Sequence, residues 1–176
     1  GDLARFYPTS VLETGVDILY AWIARMVMLG LYATDQVPFR HVYLHGLILD
    51  EHGQKMSKSK GNVINPMEIV AEYGSDALRM GIIASRSAGQ NQAFSTSKIV
   101  AGRNFCNKLW NIARYIQSRT GDDYRPQGEL RPLTTADHWI IRQLNVAADA
   151  IEDHLTNYRF ADAAETVYHT VWNDVA

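Results

Sequence analysis

The run Lys55-Met56-Ser57-Lys58-Ser59-Lys60-Gly61-Asn62 puts three lysines into six residues, beside two hydroxyls and a glycine, with no carboxylate among them. Lysine is a compact, mobile cation with three donors on a long stem. A flexible loop of lysines and serines has the chemistry to close over a triphosphate and to follow its charge during phosphoryl or nucleotidyl transfer. A solvated basic loop has the same composition, and composition alone does not separate the two. Upstream, Gly15-Val16-Asp17 ends a β-compatible run and opens a helical one. Open α/β sheets bind ligands at the carboxyl ends of their strands, and glycine lets backbone approach a ligand closely. A carboxylate there can accept hydrogen bonds from ribose hydroxyls or from an ammonium. An aspartate favoured by the helix dipole is the purely structural alternative. His41 and His45 stand four apart in a strand-like run and could share a face. No third ligand of suitable spacing accompanies them, so no protein-bound metal site is expected.

The elements that must hold these residues read as α/β first and helical afterwards. Gly1 and Asp2 lead into strand-like sequence, residues 7–12 are β-compatible, and an apolar helical run extends from Asp17 to about Tyr32. That helix is apolar almost all round and is expected to lie buried against a sheet. Val37-Pro38 breaks it, and His41-Val42-Tyr43-Leu44-His45 and Leu47-Ile48-Leu49 read as strand on either side of Gly46. Strand, buried helix and strand imply a parallel α/β unit. Residues 50–62 form a polar loop. Pro66 suits the first turn of a helix ending near Tyr73-Gly74, a second short helix covers 75–85, and 87–97 read as loop. A long helix to about Arg119 carries Phe105, Leu109, Ile112 and Ile116 on one stripe. Residues 120–132, with two Pro and two Gly, are the clearest linker. Thr134 with Asp137 resembles a capping box. Ile140, Leu144, Ala147, Ile151 and Leu155, then Phe160, Ala164, Val167 and Val171, recur at helical spacing. The chain divides near residue 86 into an α/β part and an antiparallel helical array.

Lys55-Met56-Ser57-Lys58-Ser59 matches, residue for residue, the second signature of the class I aminoacyl-tRNA synthetases. Gly15-Val16-Asp17-Ile18-Leu19-Tyr20-Ala21-Trp22 resembles the segment that the valyl and isoleucyl members place under the adenylate. Isoleucyl forms typically continue Asp-Gln-His-Arg-Gly-Trp and leucyl forms carry Glu-His, so Asp-Ile-Leu-Tyr-Ala-Trp resembles the valyl branch. Tyr73-Gly74-Ser75-Asp76-Ala77-Leu78-Arg79 and Asn107-Lys108-Leu109-Trp110-Asn111 extend the resemblance over nearly the whole chain. It implies a partial Rossmann-like, HUP-type nucleotide-binding half-domain in residues 1–62. A stem-contact region in 63–94 and the start of an anticodon-binding helical bundle in 95–176 would follow. The implied partners are ATP with its Mg2+, valine, and the tRNA for valine.

The resemblance also implies roles. Lys58 is the main phosphate contact and Lys55 its partner, the two catalytic lysines that stabilise departing pyrophosphate. Ser57 and Ser59 add hydrogen bonds or shape the loop, and Met56 anchors it by packing. Gly15, Asp17, His45, Gly46, Leu47 and Ile48 complete the ATP site. Gly46 would admit the adenine, the backbone of Leu47 and Ile48 would read its edge, and His45 would pack or hydrogen-bond beside the nucleotide. Asp17 contacts the adenylate or the substrate amino group, and Ile18 and Trp22, one helical turn apart, line the valine pocket; ordinary core packing is their alternative. By their spacing, three apart, Asp76 and Arg79 can pair on one helix face as structural support. Arg103, Lys108 and Asn111 belong to a helix with five Lys/Arg and no acid between residues 98 and 119. They contact tRNA phosphates or form a solvated face.

With 176 residues, 47% hydrophobic and 20% charged, the chain is globular rather than disordered. No apolar run reaches the ~18 residues of a membrane span, because Arg25 interrupts residues 18–33, and no membrane partner is expected. The single Cys106 excludes an internal disulfide and a multi-cysteine zinc site and fits a cytoplasmic, reducing compartment. Residues 1–119 hold 13 Lys+Arg against 9 Asp+Glu, and 120–176 hold 4 against 10, so a polyanion would be met by the first part. Opening without methionine and ending inside a helical pattern, the chain is expected to be an internal piece of a longer, monomeric protein. Neither the family's first signature, His-Ile-Gly-His, nor its editing insertion is present, so the piece alone is expected not to activate valine. Two other readings stay open. One is an isoleucyl-type or other nucleotidylyl transferase sharing the loop. The other is a non-catalytic RNA-binding helical module on a degenerate nucleotide fold.

Overall fold

The computed structural model describes residues 1–84, 89–121, 123–125, 128 and 131–176. They form two compact units: residues 1–63 with the described part of 86–94, and the described parts of 64–85 and 95–176.

The first unit is a parallel strand–helix–strand crossover. Helix α1 (Asp2–Phe6) leads into strand β1 (Thr9–Gly15), then come helix α2 (Ala24–Thr34), strand β2 (Phe39–His45) and the short strands β3 (Ile48–Leu49) and β4 (Gln92–Ala93). β1 pairs in parallel with β2 from Thr9 opposite Phe39 to Gly15 opposite His45. A parallel pair needs a crossover, and residues 16–38 supply it. The expected α/β unit is therefore present. Its start is fastened by Tyr7, whose hydroxyl donates to the Gln36 carbonyl at 2.9 Å and accepts from Thr34 at 3.1 Å.

Three features depart from the sequence reading. Residues 2–6 form a helix rather than strand, with Asp2 in its first turn and Arg5 in its last, the placement that the helix dipole favours. The crossover helix is not buried: Ile23 is its buried residue, while Tyr20 is 86% and Tyr32 91% exposed. A helix apolar all round needs cover on every side, and a two-stranded sheet lies along only one. Residues 87–97, read as loop, contain β4, which pairs in parallel with β3; a two-residue strand has no alternation to read, and residues 87 and 88 lie outside the described residues.

Among the described residues one helix, Val16–Thr34, is long and apolar enough by length and composition to cross a membrane, which the interruption at Arg25 did not suggest. It joins the ends of two strands that hydrogen-bond side by side over their full length. Spanning a bilayer would draw Glu13, Arg40 and His41 of those strands into hydrocarbon, at several kcal/mol for each unsatisfied group. The crossover role accounts for the helix without that cost.

The second unit is helical: α3 (Pro66–Tyr73), α4 (Ser75–Ile83), α5 (Thr96–Thr120), α6 (Thr135–Thr156) and α7 (Phe160–His169), continued by a wide turn at Thr170–Val175. Asn65 caps α3 by accepting from the Met67 N–H at 3.0 Å, with Pro66 at the first helical position. α4 ends at Ile83, and Ser85, the end expected from sequence, lies outside the described residues. So does part of the expected linker, at residues 122, 126, 127, 129 and 130. The expected capping box is formed: the Asp137 N–H donates to Thr134 Oγ1 at 3.2 Å, and the Thr134 N–H donates to Asp137 Oδ2 at 2.9 Å. Backbone donors at Leu133 and Thr134 hold the Asp137 carboxyl below the usual range.

The core of this unit lies where α4 and α5 touch. Ala77, Ile99 and Phe105 are each 2% exposed. A Cβ on Gly102 would come 2.7 Å from the Ala77 carbonyl oxygen, and one on Gly81 2.7 Å from Ile99 Cδ1. Two side-chain-free positions thus let the helix backbones meet. Phe105 continues the core to Tyr168 at 5.0 Å between ring centroids, and Tyr168 stacks on Trp172 at 5.6 Å.

Candidate functional site

The first unit gathers the sequence-predicted residues at the carboxyl ends of β1 and β2. Gly15 and His45 are register partners there. The space a Cβ on Gly15 would enter is bounded by Asp17 Oδ1 at 2.8 Å, His45 Cε1 at 3.8 Å and Leu47 Cδ2 at 3.9 Å. The lysine loop reaches the same place: Lys55 Nζ donates to Asp17 Oδ2 at 2.8 Å. That hydrogen bond is the main reason the Asp17 carboxyl lies below the usual range; partial desolvation opposes it, and the ammonium's charge adds to it. The pair is 63% and 43% exposed at its two side chains, so water screens it and a ligand group can displace it.

The crossover opens on an irregular turn. A 3₁₀ turn at Val16–Ile18 runs into a wide π-type turn at Leu19–Ile23, and regular α-helix begins at Ala24. Such turns recur at functional sites because they re-aim side chains. Ile18 and Trp22 therefore do not lie on regular α-helix, and the one-turn spacing used to pair them does not apply. Both are exposed.

Around His45 the structure changes the expected picture. Its Nδ1 donates to the Gly46 carbonyl at 2.9 Å, and its Nε2 lies 3.5 Å from Glu13 Oε1. Gly46 admits the chain itself: a Cβ there would fall on the Gln90 carbonyl and 2.7 Å from the Asn91 nitrogen. The Leu47 N–H donates to Asn91 Oδ1 at 2.7 Å, and its carbonyl accepts from Gln92 at 2.9 Å. The close approach at Gly46 and the backbone of Leu47 are thus committed to residues 90–92. Ile48 heads β3, opposite Gln92.

The loop has an internal frame that sequence reading missed. Asp50, 7% exposed, accepts the Gln54 and His52 N–H groups on Oδ1 at 2.7 and 3.0 Å, and the Asn62 Nδ2 donor on Oδ2 at 2.8 Å. These donors, Asn62 first, hold its carboxyl below the usual range. Asn62 Oδ1 accepts the Ser57 N–H at 2.9 Å. Leu49 and Lys55 form an antiparallel bridge at the loop base. The visible signal was an aspartate followed by Gly53, the composition of an Asx turn. From this frame Lys58, Ser59 and Lys60 project in a 3₁₀ turn closed by Gly61 at φ 67°. All three are exposed; Ser59 Oγ lies 3.2 Å from Ser57 Oγ.

In the helical unit the Arg103 guanidinium sits over the Tyr73 ring at 5.5 Å and Lys108 Nζ over the Trp172 ring at 5.3 Å, while Asn111 is exposed. The two cations are held by aromatic faces. Asp76 and Arg79 make the expected pair at 3.6 Å. Among the described residues no three His, Cys, Asp or Glu side chains group to hold a metal.

Comparison with known proteins finds two families along the chain. Residues 1–95 match the family described as tRNA synthetases class I (I, L, M and V), and residues 137–176 match the anticodon-binding domain of tRNA ligase. The chain is 44% identical over 175 residues to a valine–tRNA ligase of Brucella suis biovar 1, covering 98% of this chain and 19% of that protein. It is equally 44% identical over 177 residues to one of Geobacter sulfurreducens, covering 98% and 20%. It thus spans about a fifth of the length of these relatives. In fold it resembles the leucyl enzyme in a ternary LeuRS–tRNA–LeuAMS complex of Agrobacterium radiobacter K84, with a TM-score of 0.81, 22% identity, and 97% of this chain and 23% of that one covered. It also resembles Mycobacterium tuberculosis methionyl-tRNA synthetase bound by methionyl-adenylate, with a TM-score of 0.76, 22% identity, and 96% and 33% covered.

Proposed function

This chain belongs to the class I tRNA synthetases, and on that premise we propose that it carries the phosphate-side half of the amino-acid activation site of a valine–tRNA ligase. The opening helices of an anticodon-binding domain would follow it. The observation that carries the reading is the convergence of Lys55 on Asp17, at 2.8 Å, beside Gly15 and His45. A cationic loop that packed elsewhere would leave the signature without a site.

In this reading the valine carboxylate attacks the α-phosphorus of ATP. The bond from that phosphorus to the bridging oxygen breaks, valyl-adenylate forms, and pyrophosphate leaves carrying the displaced charge. A tRNA hydroxyl then attacks the valyl carbonyl and AMP departs. Magnesium enters as part of the substrate, on the ATP phosphates. Lys58, exposed on its turn, meets the β- and γ-phosphates and neutralises the charge that builds on the leaving group. Lys55 first rests on Asp17. When a ribose hydroxyl or the substrate ammonium takes the carboxylate, Lys55 is released to the phosphates. Ser57 and Ser59 donate hydroxyl bonds from the same turn. Ile18 and Trp22 form the apolar wall that meets the valine side chain. Arg103, Lys108 and Asn111 lie on α5, where exposed polar groups suit a phosphate backbone, with Arg103 and Lys108 steered by Tyr73 and Trp172.

The test is amino-acid-dependent exchange of labelled pyrophosphate into ATP by the full-length protein that contains this segment. Valine should support exchange while isoleucine and methionine do not. Lys58→Ala should lower kcat about 100- to 1,000-fold, the effect of removing one charge-stabilising donor, with little change in the KM for valine. Preference for isoleucine would move the chain to the isoleucyl branch. Unchanged ATP affinity in Lys58→Ala, with RNA retained, would favour a binding module. The isolated 176-residue chain should not sustain exchange, because it has no His-Ile-Gly-His run.

A further inference from the structure

Nothing in the mechanism above says why a loop of three lysines, which repel one another, should wait in a shape fit for phosphate. The frame at its base answers this. Residues 50–62 leave and return through one buried carboxylate. Asp50 Oδ1 accepts two backbone N–H groups of the outgoing turn, from His52 and Gln54, and Oδ2 accepts the side-chain amide of Asn62 on the returning end. Asn62 then passes the connection to the middle of the loop, accepting the Ser57 N–H on Oδ1 while Nδ2 also reaches the Lys55 carbonyl at 3.4 Å. These bonds fix the backbone that leads into and through the lysine run, at His52, Gln54, Lys55 and Ser57, rather than the lysine side chains. None of them holds an ammonium head, so the stems start from set points while Lys55 rests on Asp17.

We infer that Asp50 and Asn62 are positioning residues for amino-acid activation, a staple that holds the lysine turn in its phosphate-binding geometry without touching substrate. The inference rests on the functional reading above and names a role in that same site. Two properties follow from the bond directions. The staple needs one donor and one acceptor facing each other at 2.8 Å. Asn62→Asp would set two carboxylates face to face there and lose the donor. The exchange of both residues, Asp50→Asn with Asn62→Asp, restores the pattern. The amide oxygen introduced at position 50 can accept from His52 and Gln54, and the amide nitrogen there can donate to position 62. The second carboxylate oxygen at position 62 can still accept from Ser57. Only the 3.4 Å contact to the Lys55 carbonyl is lost, and net charge is unchanged. A side chain needed only for bulk or charge would not obey that symmetry.

The test uses the full-length protein, with valine-dependent pyrophosphate exchange as the probe and thermal unfolding alongside. Asn62→Asp should reduce kcat for exchange ~10- to 100-fold, the scale for losing a hydrogen bond to a charged group, and raise the KM for ATP, leaving the KM for valine within about twofold. The double exchange should recover activity to within ~5-fold of the parent. Two results would overturn the inference: Asn62→Asp within twofold of the parent, or a double variant that unfolds like the parent yet is no more active than Asn62→Asp. If Asn62→Asp fails to fold, the double variant is read against Asp50→Asn with the same expectation of recovery. Failure of the functional reading is distinct from both, because then the parent itself would show no valine-dependent exchange.

Discussion

Replacing Gly46 with alanine should destabilise the first unit through its own backbone, before any nucleotide is present. The new Cβ would fall on the Gln90 carbonyl and 2.7 Å from the Asn91 nitrogen, where ordinary contact begins near 3.4 Å. Both obstacles are main chain, so no rotamer change relieves them. Residues 89–94 must retreat, and the bonds that hold them include, in order, Gly89 N–H to Leu44 O, Leu47 N–H to Asn91 Oδ1, Gln92 N–H to Leu47 O and Phe94 N–H to Leu49 O. A retreat of roughly 1 Å breaks the two on either side of the clash, Leu47 to Asn91 and Gln92 to Leu47, at about 0.5–1.5 kcal/mol each. Overpacking adds about 1–3 kcal/mol. The sum, about 2–6 kcal/mol, is a large part of the ~5–15 kcal/mol that stabilises a domain. Amide hydrogen exchange is the assay, because Leu47 and Gln92 donate the affected bonds and should lose protection by more than about tenfold. Gly53→Ala is the reference. It has open space and φ 75°, so its cost is the left-handed backbone alone, about 1–2 kcal/mol. If Gly46→Ala protects Gln92 as well as Gly53→Ala does, the steric reasoning is wrong. If it folds normally and loses ATP affinity, the glycine serves the base after all.

Asp17 should titrate below the ordinary value of 3.8, and in Lys55→Met its midpoint should rise toward that value by carboxyl NMR. A depressed folded pKa gives stability that is present above the unfolded value and lost as pH falls through the folded one, so protonation of Asp17 weakens the Lys55 link in acid; equal midpoints in the two proteins would remove the pair. Thr134→Ala should cost the chain about 1 kcal/mol through loss of the α6 cap, read as a lower midpoint in urea, and an unchanged midpoint would deny the capping box a stabilising role. Gly102→Ala should lower thermal stability by up to about 2 kcal/mol net, because a clash of about 1–3 kcal/mol, where its Cβ meets the Ala77 carbonyl at 2.7 Å, is offset by about 1 kcal/mol of helix propensity. A stabilised variant would mean the helices are free to separate.

Local sequence chemistry was enough for much of the site. A five-residue signature, a glycine-aspartate turn at a strand end and a Thr134–Asp137 cap are each written in neighbouring residues, because phosphate chemistry, turn geometry and capping act over a few positions. The strand–helix–strand crossover was legible for the same reason: helix and strand periods are local.

What lay beyond the sequence was which distant groups meet. Nothing in the spacing of Gly46 and Gln90 says that one backbone closes on the other, or that β4 returns to pair with β3. The exposure of the 16–34 helix was also misjudged, since apolarity states what a face needs and only the packed neighbours decide whether it is covered. Asp50 and Asn62 are ordinary loop residues in the sequence. Twelve positions apart, they become a staple only because the fold excludes water from one carboxylate and aims an amide at it. The chain itself carried the chemistry of the lysine loop, and the tertiary structure decided its rest position on Asp17. Charge and hydrogen-bonding capacity belong to side chains, whereas distance and burial belong to the fold.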